Sequence, residues 1–145
     1  MSEPLMKVPD AQLEQARMML DRARWAAARF QKLDRAAVRR IAEAVANAGH
    51  AKAQSYAEWA VRETGMGLIE HKRIKNEACS KGLVELYANE DFISPRIDNA
   101  RKIVELPRPA GVIFALVPVA NPVATIFFKT LLALMTRNAI IISPH

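Results

Sequence analysis

The chain has little cysteine, glycine or histidine, and each shortage excludes a class of site. Its single cysteine, Cys79, rules out an internal disulfide and is typical of a protein from a reducing cytosol. The five glycines form no G-x-G-x-x-G loop, the common phosphate-binding sequence of dinucleotide sites. His50, His71 and His145 are far apart and lack the spacing of metal ligands, so no metal site is expected.

The chain also lacks a concentrated basic surface, although its net charge is +6. The 21 lysines and arginines are spread along the sequence in runs no longer than pairs such as Arg39-Arg40, and aromatic residues are not interleaved with them. Nucleic-acid binding usually needs a basic stripe with stacking platforms. We therefore expect no nucleic-acid partner.

Long apolar segments are equally scarce. The one long uncharged window, Ala110 to Phe128, is interrupted by Pro118, Asn121 and Pro122, whose backbone breaks would face lipid in a membrane span. The N-terminal sequence MSEPLMKVPD has no apolar core after a basic start, as a signal peptide would. We expect no membrane partner and a cytoplasmic location.

What the chain does have, up to about residue 90, is helical periodicity. Asp10 and Asp34 are plausible N-caps of the first two helices, a third ends at the glycine pair Gly65 and Gly67, and a weaker pattern continues to about Ala88. The apolar stripes predicted to be buried are Leu13, Ala16, Leu20, Ala23, Ala27 and Phe30 on the first helix, then Val38, Ile41, Val45 and Ala48 on the second with Gly49 near its end, and Ile74, Ala78, Leu83 and Leu86 on the last.

The remainder predicts an α/β unit. A polar connection, Asp91 to Asn99, leads to a short strand at Lys102–Leu106. Two apolar runs, Gly111–Val117 and Ala139–Ile142, flank a helix that begins at Asn121-Pro122, which indicates a βαβ unit with parallel strands buried on both faces. The fold class is therefore α/β: helices over residues 1–90, then the start of a parallel sheet over residues 100–145.

Ligands of such units bind beyond the carboxyl ends of the strands, so Pro118–Asn121 and Ser143–His145 should lie side by side at one edge. From the residues alone, Asn121 is predicted to be an N-cap followed by proline at the first helical position. The helix that follows Asn121 is apolar nearly all round and must be covered on more than one side. We therefore expect the chain to be the front portion of a larger protein. Lys129 on that helix is expected to reach solvent by its stem.

Three segments resemble the aldehyde dehydrogenase superfamily, and within it the CoA-acylating branch. They are ETGMGLIEHKRIKNEA (63–78), PAGVIFALVPVANPVATIFFK (109–129) and TRNAIIISPH (136–145). The resemblance implies the N-terminal part of an NAD(P)-binding domain with a Rossmann-like sheet, and a catalytic domain that this chain lacks. It also implies oxidation of a small aldehyde, such as acetaldehyde, propionaldehyde or sulfoacetaldehyde, to its acyl-CoA, with NAD(P) and coenzyme A required and a homo-oligomeric full-length enzyme.

The same resemblance implies roles for six residues. Asn121 corresponds to an oxyanion-hole donor, and Pro118, Val119, Ser143, Pro144 and His145 to cofactor-binding positions. Ser143 stands where non-acylating relatives often carry a lysine, which leaves NAD versus NADP open. The family's nucleophilic cysteine lies downstream of His145, and Cys79 matches a position without a catalytic role. The isolated chain is therefore expected to be inactive. The alternative is a non-catalytic segment that binds nucleotide or pairs with other subunits.

Overall fold

Six helices and four short strands make up residues 9–145, the part of the chain that the computed structural model describes. The elements are α1 (Asp10–Phe30), α2 (Arg35–Ala51), α3 (Ala53–Thr64), α4 (Ile69–Glu77), a π turn (Ala78–Gly82), α5 (Leu83–Leu86), β1 (Arg96–Asp98), β2 (Ile103–Glu105), β3 (Val112–Leu116), α6 (Pro122–Met135) and β4 (Ala139–Ser143). The expected order of helices first and a parallel βαβ unit second is confirmed. The expectation of no signal peptide rests mostly on residues 1–8, which lie outside the described residues.

The predicted helix caps have mixed outcomes. The carboxylate of Asp34 accepts a hydrogen bond of 2.7 Å from the backbone N–H of Ala37 and caps α2, as expected. Gly65 ends α3 in the left-handed conformation, with φ of 64°. The prediction for Asp10 is wrong: Pro9 occupies the N-cap position and Asp10 is the first helical residue. There its negative charge faces the helix N-terminus but caps no backbone N–H.

The buried faces of the first helices differ from those the apolar patterns predict. On α1, Ala23 and Ala27 are buried, whereas Leu13 is exposed because only the second half of the helix packs on the strands. On α2 the predicted buried face is wrong in part. Mostly small residues line its contact with the neighbouring helices, and larger apolar residues lie at the sides of that contact. The buried residues there are Val38, Ala42, Ala46 and Gly49.

The helical stretch from α4 to α5 buries polar residues where apolar ones were predicted. Lys72, Asn76 and Ser80 are buried together with Leu83, while Ile74 and Leu86 are exposed. The Asn76 amide donates to the carbonyl of Ala53 at 3.0 Å, and the Ser80 hydroxyl donates to the carbonyl of Asn76 at 2.6 Å. Each of these groups therefore has a partner that offsets its desolvation.

The parallel pair β3 and β4 is the start of the predicted sheet. Its register runs from Val112 opposite Ala139 to Leu116 opposite Ser143. Helix α1 packs on both strands, and α6 packs against β4. Burial on both faces was predicted but is wrong for β3 within residues 9–145: Ala115 is 2% exposed, whereas Phe114 and Leu116 are each 64% exposed. Nothing in the described residues covers that second face.

The polar connection before the sheet contains a strand that the sequence did not predict. β1 pairs antiparallel with β2, which lies within the strand predicted at Lys102–Leu106. β1 is mostly exposed, so it carries no apolar alternation by which to recognise it. Just before it, one carboxylate oxygen of Asp91 accepts hydrogen bonds of 2.9 Å from the backbone N–H groups of Ile93 and Ser94, and Arg35 lies 3.5 Å from the other oxygen.

Helix α6 is the centre of the packing. Leu131 is fully buried and meets Ala42, Ala46 and Leu83, so α6 lies between the helices on one side and β4 on the other. None of the helices between residues 9 and 145 combines the length and the hydropathy that crossing a bilayer requires.

Gly49 allows α2 to approach α6 closely, and this generates a stability prediction. A Cβ at position 49 would lie 2.6 Å from the ring of Phe127, which stacks on Tyr56 with ring centroids 6.4 Å apart. Gly49→Ala should therefore destabilise the fold by about 1–3 kcal/mol, the usual cost of overpacking, measured by urea unfolding. Gly82→Ala is the matched control, since its Cβ would meet its nearest neighbour at an ordinary 3.4 Å. Equal stability of the two variants would contradict the close packing.

Asp91 generates a prediction on pH. Hydrogen bonds, first from the backbone of Ser94, and the charge of Arg35 lower the pKa of Asp91 from 3.8 to about 2. A lowered pKa in the folded state stabilises the protein above the unfolded value, and this stabilisation is lost as pH falls through the folded value. Asp91→Asn should therefore lower the melting temperature at pH 7, and the difference from wild type should shrink as pH falls from about 4 to about 2.

The control for this experiment is Asp21→Asn, because the Asp21 carboxylate is exposed beside Arg24 at 3.6 Å. Asp21→Asn should change the melting temperature little, both at pH 7 and between about pH 4 and about pH 2. A pH-independent effect of Asp91→Asn would show that the charge of Asp91 is not what stabilises this turn.

Candidate functional site at the carboxyl ends of the parallel strands

The carboxyl ends of β3 and β4 meet, as the sequence predicts. The backbone N–H of Val117 donates to the carbonyl of Ser143 at 3.0 Å, which extends the pairing by one residue. The segments after the strands therefore start next to each other. Among the residues predicted to bind cofactor, Val119 and Ser143 are half-buried, and the remaining ones, Pro118, Pro144 and His145, are exposed.

Asn121 begins helix α6 with its backbone but not with its side chain. Its carbonyl accepts from the N–H of Thr125 at 3.2 Å, and Pro122 occupies the first helical position. The side chain makes no capping hydrogen bond. Asparagine at this position usually accepts from a backbone N–H of the first turn, so the amide of Asn121 is available for another use.

That amide is held by a lysine of α4. The ammonium of Lys75 donates to the side-chain oxygen of Asn121 at 3.2 Å. An ammonium can only donate, so the oxygen of the amide has to face Lys75 and the NH₂ group has to point elsewhere. The orientation of the Asn121 amide is thereby defined, with its donor side turned away from α4.

Two further lysines fix the backbone of the same loop. Lys72, 6% exposed, donates to the carbonyl of Ala120 at 2.6 Å. Burial, with a smaller contribution from the charge of Lys75, lowers the pKa of Lys72. The ammonium of Lys129 donates to the carbonyl of Leu116 at 2.6 Å in an exposed hydrogen bond, which is compatible with the expectation that its stem reaches the surface. The loop from Leu116 to Asn121 is thus fastened at both ends.

This arrangement can bind a partially negative oxygen. It offers an uncharged amide donor on a fastened loop, and two ammonium groups make the surroundings electropositive. Fixed donors of this kind stabilise charge that develops on oxygen during a reaction. Within the described residues, no group of three or more His, Cys, Asp or Glu side chains is arranged to hold a metal ion.

Cys79 is the one thiol of the chain and lies in the π turn, one helical turn beyond Lys75. It is half-buried, and burial raises the pKa of its thiol, while the charge of Lys75 acts in the opposite direction. A raised pKa favours the neutral thiol, which is a poor nucleophile.

Comparison with known proteins identifies the family. The model of the aldehyde dehydrogenase family matches residues 1–145. The chain belongs to the aldehyde dehydrogenase family. It is 41% identical over 90 residues to the bifunctional aldehyde-alcohol dehydrogenase AdhE of Escherichia coli, covering 61% of this chain and 10% of that protein. It is 34% identical over 137 residues to the acylating sulfoacetaldehyde dehydrogenase of Cupriavidus necator, covering 92% of this chain and 28% of that protein.

A solved structure supports the same placement. An acetylating aldehyde dehydrogenase from Geobacillus thermoglucosidasius superimposes with a TM-score of 0.87 at 30% identity, covering 97% of this chain and 31% of that one. The chain therefore spans less than a third of each of these relatives. Its helices and short parallel sheet match the N-terminal, Rossmann-like part of an acylating aldehyde dehydrogenase, so the predicted branch and fold are confirmed.

The lysines around Asn121 were not predicted from the sequence. Lys72 and Lys75 lie one turn apart, but an apolar pattern through Ile74 and Ala78 pointed to the opposite side of α4 as the buried face. The polar series Lys72, Asn76 and Ser80 at spacings of four gave no warning, because the solvent-facing side of an amphipathic helix has the same pattern.

The absence of a side-chain cap on α6 generates a prediction about stability. Asp34 caps its helix with a hydrogen bond of 2.7 Å, so Asp34→Ala should cost about 1 kcal/mol. Asn121 makes no such bond, so Asn121→Ala should stay within about 0.5 kcal/mol of wild type. Urea unfolding of both variants measures the difference. Equal losses would mean that Asn121 serves mainly as a cap.

Proposed function

We propose that this chain is the N-terminal part of the NAD(P)-binding domain of a CoA-acylating aldehyde dehydrogenase. The complete enzyme oxidises a small aldehyde to its acyl-CoA, and a cytoplasmic homo-oligomer is its proposed state. The proposal is supported by the position of the Asn121 side chain. This side chain does not cap its own helix, and it is held beyond the carboxyl ends of parallel strands, where ligands of such sheets bind.

The proposed role of Asn121 is to donate a hydrogen bond from its amide to the aldehyde oxygen. A cysteine thiolate from the part of the enzyme outside this chain attacks the carbonyl carbon, and negative charge develops on that oxygen. An uncharged amide stabilises this charge without neutralising the thiolate. Pro122 fixes the next φ angle, and Lys72 fastens the preceding carbonyl, so the donor needs no reorganisation as the charge appears.

The cofactor-binding role of Pro118, Val119, Ser143, Pro144 and His145 is part of the same proposal. These residues fit the adenosine side of NAD(P): they lie at and beyond the carboxyl ends of two parallel strands and offer one hydroxyl and one imidazole. When bound, NAD(P) would accept the hydride from the carbonyl carbon, and the acyl group of the resulting enzyme thioester would pass to the thiol of coenzyme A, which frees the cysteine. The residues of this chain contribute binding and orientation to these steps.

Substitution of Asn121 in the complete enzyme tests the proposal. Asn121→Ala should slow the acylation step by about 10²–10³, the usual loss for one oxyanion donor. Asn121→Asp should be at least as damaging, because its carboxylate would face the developing oxyanion. Single-turnover formation of the reduced cofactor measures the rate.

The matched control is Asn47→Ala, which removes an exposed asparagine of α2 and should leave the rate unchanged. An active Asn121→Asp enzyme would rule out the oxyanion role, since aspartate keeps the capping ability of asparagine but offers no amide donor.

A further inference from the structure

We propose that Lys75 is a positioning residue for Asn121: it aligns the amide for catalysis and keeps it from capping α6. This inference rests on the proposed function of Asn121 and names the residue that makes it possible. Lys75 touches neither aldehyde nor cofactor in this scheme and acts only through the side-chain oxygen of Asn121, 3.2 Å from its ammonium.

Two lysines on one helix hold different parts of the same loop. Lys72 and Lys75 are three residues apart on α4 and therefore neighbours on its surface. Lys72 is buried and holds the backbone carbonyl of Ala120, whereas Lys75 is exposed and holds the side chain of the next residue, Asn121. The ammonium of Lys72 fixes the position of the loop, and the ammonium of Lys75 fixes the orientation of the Asn121 amide.

The ammonium of Lys75 competes with the first turn of α6 for the side-chain oxygen of Asn121. Without Lys75, the oxygen of an N-cap asparagine would accept from a free N–H of the first turn of α6, its preferred partner. That rotation would turn the amide NH₂ away from its present direction. The charge-assisted hydrogen bond from Lys75 is stronger than a neutral one, so it can hold the uncapped orientation.

The charge of Lys75 also polarises the amide of Asn121. A positive charge on the oxygen side of an amide draws electron density from its nitrogen and makes the N–H groups better donors, as in any chain of cooperative hydrogen bonds. The donors of Asn121 therefore gain strength on the side where the aldehyde oxygen would be placed. Lys75 is exposed, so solvent screens this effect and keeps it modest.

The experiment is a double-mutant cycle of Lys75→Met and Asn121→Ala in the complete enzyme. Methionine keeps much of the apolar stem and removes the ammonium. Lys75→Met should slow single-turnover acylation about tenfold, which corresponds to about 1.4 kcal/mol of barrier. In an enzyme that already carries Asn121→Ala, Lys75→Met should slow acylation little further, because Lys75 acts through Asn121.

Three further measurements separate positioning from a general structural role. The KM for NAD(P) should stay unchanged while the acylation rate falls. The melting temperature should not drop, because the freed oxygen of Asn121 becomes available as a cap. Lys75→Arg keeps a cationic donor and should recover most of the rate. Lys81→Met is the control, since Lys81 lies on the same helical stretch but pairs with Glu85 at 3.7 Å.

The outcomes distinguish the two proposals. A normal rate in Lys75→Met with a slow Asn121→Ala enzyme overturns the positioning role and leaves the oxyanion role standing. Rate losses that add fully in the double variant also overturn it, because Lys75 would then act independently of Asn121. A normal rate in Asn121→Ala overturns the proposed function and this inference together. Should Lys75→Met fail to fold, Lys75→Gln and Lys75→Arg carry the same comparison.

Discussion

The contact on which the site depends is the bond from the buried ammonium of Lys72 to the carbonyl of Ala120. Removing an ammonium from water is costly, and burial already lowers its pKa. Despite this desolvation cost, the bond has a structural role, because it joins the helical first half of the chain to the loop after β3. Together with the packing of α4 on α6, this bond sets the position of that loop relative to α4, and with it the reach of Lys75 to Asn121.

The sequence predicted best where local chemistry decides the structure. The two apolar runs, the helix opening at Asn121-Pro122, the cap at Asp34 and the end of α3 at Gly65 all follow from residue type and spacing. Edge strands and buried faces were predicted poorly. β1 is mostly exposed and has no apolar alternation, and the contact face of α2 consists largely of alanine and glycine, which hydrophobic patterns underweight.

The site could be predicted only in part, for a related reason. The meeting of the strand ends follows from parallel topology, so Asn121 and Ser143 could be placed at one edge from the sequence. The partner of the Asn121 side chain could not, because Lys75 lies 46 residues earlier and the link depends on how α4 packs. A polar residue on a helix is expected in solvent by default, and the three buried polar residues of this stretch depart from that expectation.

The π turn between α4 and α5 has a consequence for how length variation is tolerated. Such a turn carries one residue more than regular α-helix, and each α-helical residue advances the helix by about 100°. Deleting one residue from Ala78–Gly82 would therefore restore regular α-helix and leave the two halves in nearly the same relative orientation, so Lys72 and Leu83 could both keep their buried positions. The exposed first half of α1 tolerates shortening for a different reason, because little of it is packed. In this domain, shortening by one residue should be absorbed at the π turn as well as near the start of α1, and not within the regular helices that pack on α6.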